Sequence, residues 1–328
     1  MKTIVFILIS ILLPLNLWAE EGPYFVHDPV MIKQDSMYYL FCTGKGISTF
    51  SSKDMKTWIP GKPVFEEAPE WAVKAVPGYN GHTWAPDISL YNGKYCLFYS
   101  ASAFGKNTSC IGLAENTTLH PESADFKWID HGKIIESVPG RDDWNAIDPN
   151  LIVDGQGHPW LCFGSFWSGI KMVKLSDDLS GIAQPQEWYA LAGRPRDITI
   201  DGKEAGDGAI EAPFIFKKGG YYYLFVSFDY CCRGAKSNYK VMVGRSEKVT
   251  GPYIDKVGAK MTLGGGSPVV EGTKRYPGVG HCGVYAFDGK DYIIFHGYDM
   301  EKNGMSRLLI EELAWDSAGW PALKSPLK

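Results

Sequence analysis

The stretch that decides the fold is Ile147-Asp148-Pro149-Asn150-Leu151, which is followed about ten residues later by the apolar run Trp160-Leu161-Cys162-Phe163. The same plan, an acidic or proline-marked start and then an aromatic-rich run, occurs five times along the chain. The other starts are His27-Asp28-Pro29-Val30, Trp84-Ala85-Pro86-Asp87-Ile88, Glu211-Ala212-Pro213-Phe214 and Gly280-His281-Cys282-Gly283-Val284, and their apolar runs begin at Tyr38, Tyr95, Tyr222 and Tyr292.

The spacing of these starts indicates the architecture. Pro29, Pro86, Pro149 and Pro213 are 57, 63 and 64 residues apart, and Gly283 lies 70 residues further on. A period of this size, with several strands per repeat and no convincing helix, is typical of propellers. The sequence therefore predicts an all-β protein that folds as a five-bladed β-propeller. Because propellers run large as single domains, we expect one catalytic domain over residues 20–328.

Composition agrees with this fold and excludes some functions. The 328 residues are 14% aromatic, 45% hydrophobic and 21% charged, which suits an all-β globular protein and excludes disorder. The formal net charge is −4. Nucleic-acid binding needs a basic surface, so we expect no nucleic-acid partner. A monomer is the expected state.

The first nineteen residues have the features of a secretory signal peptide. Lys2 precedes an apolar run from Ile4 to Leu17, and Ala19 provides the small residue of a cleavage site. The run is too short for a comfortable membrane span, so none is expected. The sequence therefore predicts a signal peptide over residues 1–19 and export to the periplasm or to the outside of the cell.

The chain has seven cysteines, and they favour packing over metal binding. Cys42, Cys96 and Cys162 lie in or beside the apolar runs, where a small buried side chain is expected. No CxxC pair is present, which argues against a zinc site. The adjacent Cys231 and Cys232 leave three alternatives open: a vicinal disulfide, two free thiols, or a bridge from one of them to another cysteine.

The repeat starts predict where the chemistry lies. In a propeller, equivalent positions of the innermost strands converge around one mouth of the central channel, so Asp28, Asp148 and Glu211 should face a common cavity, with Asp87 and His281 beside them. Carboxylates that share a cavity push their pKa values apart, which yields one acid and one base. An ordinary strand-entry turn would explain any one of these dipeptides, but it explains three in register poorly.

Aromatic residues near the same starts indicate a sugar ligand. Trp84 immediately precedes the second blade start, and Phe104 follows the run Tyr99-Ser-Ala-Ser-Ala. Sugar rings present apolar C–H faces, so exposed aromatic side chains beside carboxylates suit a carbohydrate site. Packing between blades is the alternative for most of the eleven tryptophans.

A set of short motifs, in a fixed order from about Val26 to Pro321, resembles glycoside hydrolase family 43 and, within it, the arabinan-cleaving endo-1,5-α-L-arabinanases. The motifs are His27-Asp28-Pro29, His82-Thr-Trp-Ala-Pro-Asp87, Asn145-Ala-Ile-Asp-Pro-Asn150, Phe163-Gly-Ser-Phe-Trp-Ser-Gly169, Ile210-Glu-Ala-Pro213, Ser227-Phe-Asp-Tyr-Cys-Cys232, Gly280-His281 and Leu313-Ala-Trp-Asp-Ser-Ala-Gly-Trp-Pro321.

The resemblance implies an inverting hydrolase that cleaves α-1,5-L-arabinofuranosidic bonds inside arabinan, a polysaccharide of pectin side chains. By position, Asp28 matches the general base and Glu211 the general acid. Asp148 matches a third carboxylate that orients the acid and raises its pKa. Inversion requires room for a water molecule, with the base and acid carboxyls roughly 6.5–9.5 Å apart.

The same resemblance implies the substrate contacts and one ion. Trp84 and Phe104 look like sugar-stacking residues, while the polar contacts are His27, Asn145 and Ser165. His281 matches a histidine that holds a metal ion, usually read as calcium, on the propeller axis; no organic cofactor is implied. Calcium prefers oxygen ligands, so a buried core histidine is the alternative for His281.

Two other functions compete with this one. An exo-acting α-L-arabinofuranosidase or β-xylosidase of the same family would share the three acids but close one side of the cleft, and the segments 123–144 and 194–208 are candidate walls. A carbohydrate-binding propeller without catalysis would need the aromatic residues, but it would not need three acids in register.

Overall fold

The computed structural model describes residues 23–197 and 204–328. The predicted signal peptide lies outside these residues, as does the segment 198–203 inside the second candidate wall. Within the described ranges no helix is both long enough and apolar enough to cross a membrane.

The strands form five antiparallel sheets arranged as the five blades of a β-propeller, which confirms the predicted fold. Blade 1 contains β1 (Val30–Gln34), β2 (Met37–Cys42), β4 (Ser48–Ser52) and β5 (Ile59–Pro60), while the short β3 (Gly44–Lys45) pairs with blade 2. Blade 2 contains β6 (His82–Tyr91), β7 (Lys94–Ala101), β8 (Ser109–Asn116) and β9 (Ile129–Ser137).

The other three blades repeat the four-stranded plan. Blade 3 contains β10 (Asn150–Val153), β11 (Pro159–Phe163), β12 (Ile170–Lys174) and β13 (Trp188–Ala192). Blade 4 contains β14 (Ile210–Lys218), β15 (Tyr221–Phe228), β16 (Lys240–Ser246) and β17 (Ser267–Val270). Blade 5 contains β18 (Val279–Phe287), β19 (Lys290–Asp299), β20 (Met305–Trp315) and β21 (Pro321–Leu323).

The aromatic runs of the repeat form the second strand of every blade, and they fill the gaps between blades. Side chains alternate along a strand, so neighbouring residues point into opposite gaps. In β2, for example, Tyr39 packs with Leu97 of blade 2, whereas the next residue, Leu40, packs with Ile294 of blade 5. Burial of each such side chain contributes roughly 1.5–3 kcal/mol, and five such gaps hold the ring of blades together.

One short α-helix, α1 (Glu70–Ala75), departs from the expectation of no convincing helix. Six residues are too few to produce a recognisable helical period in the sequence. The helix buries Ala72 against Ala101 and Cys110 of blade 2. The Trp71 indole also donates a hydrogen bond to Asp130 (2.9 Å).

The cysteines behave mostly as predicted. Cys42, Cys96 and Cys162 are buried free thiols, as are Cys110 and Cys282. The open question of the adjacent pair has an answer in the structure, because Cys231 and Cys232 form a vicinal disulfide.

The residues before β1 close the ring. The Phe25 amide donates to the Ser306 carbonyl (2.7 Å), and the Leu308 amide donates to the Pro23 carbonyl (3.1 Å). The start of the described chain is therefore joined to β20 of blade 5, while the strands that follow it build blade 1.

Candidate active site

In each blade, one residue in or just before the first strand has a left-handed backbone. These residues are Asp28, Ala85, Asp148, Ala212 and His281, with φ values of 54°, 42°, 57°, 55° and 51°. The strand register shifts at this point in blades 2, 4 and 5. Non-glycine residues seldom adopt such angles, and they persist where surrounding contacts hold them.

In four blades a side chain of the preceding blade accepts a hydrogen bond from the amide of this residue. The second strand contains a residue that pairs with the residue two positions after the left-handed one. The acceptor lies two residues after that pairing residue, at the end of the second strand. The bonds run from Ala85 to Thr43 Oγ1 (2.8 Å), from Asp148 to Ser100 Oγ (3.1 Å), from His281 to Ser227 Oγ (2.8 Å) and from Asp28 to His296 Nδ1 (3.1 Å).

Blade 3 lacks this acceptor because its equivalent residue is Gly164. The amide of Ala212 instead donates to Asp148 Oδ2 (3.1 Å). A carboxyl of blade 3 therefore accepts the kind of bond that a hydroxyl or an imidazole accepts in the other blades, and this bond brings Asp148 to the residue next to Glu211.

A cavity of about 830 Å³ opens at this end of the inner strands, and every predicted site residue lines it. These residues are Asp28, Asp148, Glu211, His27, Trp84, Phe104, Asn145, Ser165 and His281. Phe104 is 81% exposed and Asn145 is buried. A smaller cavity of about 390 Å³ lies at the opposite end of the inner strands, and its lining contains no carboxylate. The chemistry therefore belongs to the larger cavity.

The expectation that Asp87 also faces this cavity is wrong. Asp87 is buried, and it accepts hydrogen bonds from Asn150 Nδ2 (3.1 Å) and from the Leu151 amide (2.8 Å). Burial raises its pKa to about 6. It follows Ala85 by two residues, so it lies further along the inner strand, where it joins blade 2 to blade 3.

Asp28 is a buried carboxylate between two histidines. Its Oδ1 lies 2.8 Å from His27 Nδ1 and 3.0 Å from His281 Nδ1, and its Oδ2 accepts a hydrogen bond from Thr43 Oγ1 (2.5 Å). Burial alone would raise the pKa of Asp28, but the charges and hydrogen bonds of His27 and His281 outweigh burial and hold it well below its ordinary value. Asp28 is therefore ionised at neutral pH, as a general base requires.

Tyr298 links His27 to the disulfide segment. His27 Nε2 lies 2.7 Å from the Tyr298 hydroxyl oxygen. The same hydroxyl oxygen accepts a hydrogen bond from the Cys232 amide (2.6 Å). The disulfide segment is thereby linked to Asp28 through two side chains.

Glu211 and Asp148 form the other half of the site. Glu211 accepts hydrogen bonds from Ser165 Oγ (2.7 Å) and from the Tyr239 hydroxyl (2.8 Å). Burial, opposed by the charge of His281 and reinforced by the negative charges of Glu211 and Asp28, raises the pKa of Asp148 above its ordinary value. Asp148 therefore retains a proton at neutral pH beside Glu211, whose charge is one cause of the raised pKa.

His281 acts here as a cation among carboxylates. Burial would lower its pKa, but the charge of Asp28 and the hydrogen bond to it, with Asp148 and Glu211, raise the pKa to about 9. Across the described ranges, no group of three His, Cys, Asp or Glu ligand atoms lying within 4.8 Å of one another includes His281. The imidazole nitrogens of His281 do not suit calcium, which takes six to eight oxygen ligands. The ion remains a prediction of the resemblance.

Sequence reasoning missed several residues that shape the site. Thr43, Tyr239, His296 and Tyr298 contact the cavity carboxyls or their partners from positions in or directly beside second and third strands, where no motif marks them. Burial, with the charge of His27, lowers the pKa of His296, so its ring is neutral. The common position of Thr43, Ser100 and Ser227 within the repeat was the signal that could have located His296.

The candidate walls contribute unequally. Within the segment 123–144, residues 129–137 form β9, an outer strand of blade 2, and no residue of the segment lines the cavity. In the described part of the segment 194–208, Ala205 lines the cavity. Phe25, which is 74% exposed, and the Cys231–Cys232 disulfide also lie along its edge.

Comparison with known proteins assigns a family to this site. The model of glycosyl hydrolases family 43 matches residues 22–321. The chain belongs to this family. The family 43 chain is 51% identical over 296 residues, 90% of its length and 85% of the relative, to an extracellular exo-α-(1→5)-L-arabinofuranosidase of Cellvibrio japonicus. It is 44% identical over 301 residues, 90% of its length and 87% of the relative, to an extracellular endo-α-(1→5)-L-arabinanase of Bacillus subtilis.

Among solved structures, this family 43 hydrolase resembles an α-L-arabinanase of Cellvibrio cellulosa in complex with arabinohexaose. The TM-score is 0.91 and the identity is 49%, over 93% of this chain and 96% of the other. The site of this family 43 enzyme thus combines an ionised carboxylate, a carboxyl that retains its proton beside Glu211, and exposed aromatic side chains.

Proposed function

We propose that this protein hydrolyses α-1,5-L-arabinofuranosidic bonds of arabinan with inversion at the anomeric carbon. The observation that carries the proposal is the division of the carboxyls in one cavity. Asp28 is held ionised by two histidines, whereas Asp148 retains a proton beside Glu211. Inverting hydrolysis needs one base and one acid of this kind.

The reaction uses one water molecule. Asp28 takes a proton from that water as its oxygen bonds to the anomeric carbon, and the bond from this carbon to the O5 oxygen of the next arabinose breaks. Glu211 gives its proton to the departing oxygen. Asp148, which accepts the Ala212 amide, holds the backbone beside Glu211 in place.

The choice of arabinan is supported by the relatives and by the cavity lining. Both curated relatives described above are named for α-(1→5)-L-arabinan chemistry, and the similar solved structure holds arabinohexaose. Trp84 and Phe104 offer apolar surface for the C–H faces of the sugar, and His27, Asn145 and Ser165 offer polar contacts. Both relatives are also named extracellular, which supports the proposed export.

The mode of attack has two candidates. The sequence predicts cleavage inside the chain, and the endo-arabinanase relative at 44% identity supports it. The higher identity, 51%, to a relative named as an exo-acting enzyme favours attack from a chain end. Both modes use the same three carboxyls, so they share the mechanism and differ in the products.

Chromatography of early products from linear 1,5-α-arabinan tests the proposal. We expect wild type to release arabino-oligosaccharides or arabinose, and Glu211→Gln to lose at least about 100-fold in rate. Glu247→Gln, an exposed glutamate of blade 4, is the matched control and should match wild type.

The products then separate the modes. A ladder of lengths indicates endo cleavage, whereas one short product from the first minutes indicates exo cleavage. If wild type leaves arabinan uncleaved but binds it, the protein is a carbohydrate-binding propeller and the proposal is wrong. If Glu211→Gln retains full activity, the assignment of the acid is wrong.

A further inference from the structure

His296 occupies a position at which other blades use a small hydroxyl. In the strand pairing of each blade it holds the same position as Thr43, Ser100 and Ser227, two residues after the second-strand residue that pairs with the first strand. Like them, it accepts the amide hydrogen bond of the next blade, in this case from Asp28 (3.1 Å). Because a serine or threonine suffices for that bond elsewhere in the ring, the bond alone does not account for an imidazole.

The imidazole makes contacts that a hydroxyl could not make. Its ring lies nearly parallel to that of His27, at 3.7 Å between centroids and 26° between planes. On the Tyr239 side the centroids are 5.9 Å apart and the planes differ by 28°. His296 is fully buried and Tyr239 is 1% exposed, so packing fixes both rings.

The two outer rings of this stack each bind a catalytic carboxyl. His27 Nδ1 lies 2.8 Å from Asp28 Oδ1, and the Tyr239 hydroxyl donates to Glu211 Oε1 (2.8 Å). A continuous path of one hydrogen bond, two ring contacts and a second hydrogen bond therefore joins the base to the acid. This path runs from blade 1 through blade 5 to blade 4.

Gly280 keeps the Tyr239 ring in this path. Gly280 pairs with His296 across β18 and β19, and a Cβ atom added to it would lie 2.3 Å from Tyr239 Cδ1. The Tyr239 ring thus rests directly on backbone that carries no side chain. Any larger residue at this position would displace the ring that holds Glu211.

We propose that His296 is a positioning residue which, as the centre of the His27, His296 and Tyr239 stack, sets the separation and orientation of Asp28 and Glu211. The inference rests on the proposed function, because it assigns to this stack the geometry that inverting hydrolysis needs. Misplacement of a catalytic group by about 1 Å can cost about 100-fold in rate, so the stack would act on kcat.

The decisive variant is His296→Ser. It restores the hydroxyl acceptor that the other blades use and removes only the ring. We expect a folded protein whose kcat on arabino-oligosaccharides falls about 10- to 100-fold, with KM within about threefold of wild type, because the aromatic side chains that bind sugar are untouched. Gly280→Ala, which leaves every polar group of the site in place, should lower kcat in the same direction.

A substrate with an activated aryl leaving group distinguishes positioning from a general loss of folded enzyme. Such a leaving group needs little help from the acid, so displacement of Glu211 should reduce kcat/KM less on the aryl arabino-oligoside than on the natural oligosaccharide. A smaller folded fraction would reduce both equally. Circular dichroism and thermal unfolding establish that each variant is folded.

Each outcome decides the inference. A folded His296→Ser with the kcat of wild type overturns it, since the hydroxyl would then suffice, and so does an unchanged kcat with a raised KM. If His296→Ser does not fold, Gly280→Ala decides: an unchanged kcat overturns the inference and a lowered kcat supports it. A wild type without hydrolytic activity would instead refute the proposed function, which the same assay reports separately.

Discussion

At the scale of single residues, the site depends on charges that are balanced locally. Asp28 carries its negative charge between His27 and His281, and Asp148 retains a proton beside Glu211. The three acids could be predicted from the sequence because each stands in register at a blade start. Tyr239, His296 and Tyr298 could not, because the contacts of a side chain on or beside a second or third strand are known only when the blades are assembled.

The raised pKa of Asp148 predicts a pH-dependent difference in stability. The folded protein holds a proton that the unfolded chain releases near pH 4, so wild type loses stability as the pH rises through the interval between the two pKa values. Asp148→Asn cannot release this proton, and its amide oxygen can still accept from Ala212. We expect the variant to be nearly inactive but more stable than wild type at pH 8, by about 1–3 kcal/mol.

Thermal unfolding at pH 5 and pH 8 checks this expectation. The stabilisation of Asp148→Asn over wild type should be larger at pH 8 than at pH 5. A difference in Tm that is the same at both pH values would contradict a raised pKa for Asp148 in the folded state.

At the scale of elements, the repeat is predictable and its exceptions are not. The second strands follow directly from the aromatic runs, since alternating apolar residues between two blades leave little choice of structure. Asp87 was placed wrongly because the left-handed residue before the proline is Ala85, which moves Asp87 away from the mouth along the inner strand. Helix α1 was missed because one and a half turns produce no period.

Gly164 departs from the repeat of side-chain acceptors, and its replacement should lower the free energy of unfolding by a measurable amount. Its φ is +132°, and an added Cβ would lie 2.6 Å from the Gly169 carbonyl oxygen. We expect Gly164→Ala to destabilise the protein by roughly 3 kcal/mol, since backbone strain adds to a clash with backbone. Gly157→Ala is the matched control, because Gly157 also has a positive φ, +92°, but nothing lies within 4 Å of an added Cβ.

Denaturant unfolding of the two glycine variants separates the effects. Gly157→Ala should cost about 1 kcal/mol from the backbone angle alone. If Gly164→Ala lowers the free energy of unfolding no more than this control does, the close approach to the Gly169 carbonyl does not require glycine at position 164. The absence of a side-chain acceptor there, which leaves the Ala212 amide to Asp148, would then need another explanation.

At the scale of the whole molecule, a buried charge pair stabilises the contact that closes the ring, between blade 5 and the residues before β1. Arg307 and Asp299 are buried in blade 5, with Nη1 and Oδ2 3.3 Å apart, and Tyr24 donates to the same Asp299 oxygen (3.2 Å). Arg275 binds Asp299 from a more exposed side (3.1 Å). Removal of Arg307 leaves the buried Asp299 with only the more exposed Arg275 as a charged partner, which is destabilising.

We therefore expect Arg307→Met to lower the free energy of unfolding by about 3 kcal/mol, and Arg275→Met by about 1 kcal/mol. Urea unfolding of the two variants measures this order. A smaller loss for Arg307→Met than for Arg275→Met would mean that the buried pair does not stabilise the joint between the chain start and blade 5.

The anomeric configuration of the first product that wild type releases tests whether Asp28 and Glu211 hydrolyse an α-linked arabinan with inversion. Proton NMR of linear 1,5-α-arabinan, recorded within the first minutes and before the product equilibrates in water, reports the configuration of each new reducing end. We expect the β-anomer, because water attacks the face opposite to the leaving oxygen. Initial release of the α-anomer would contradict it.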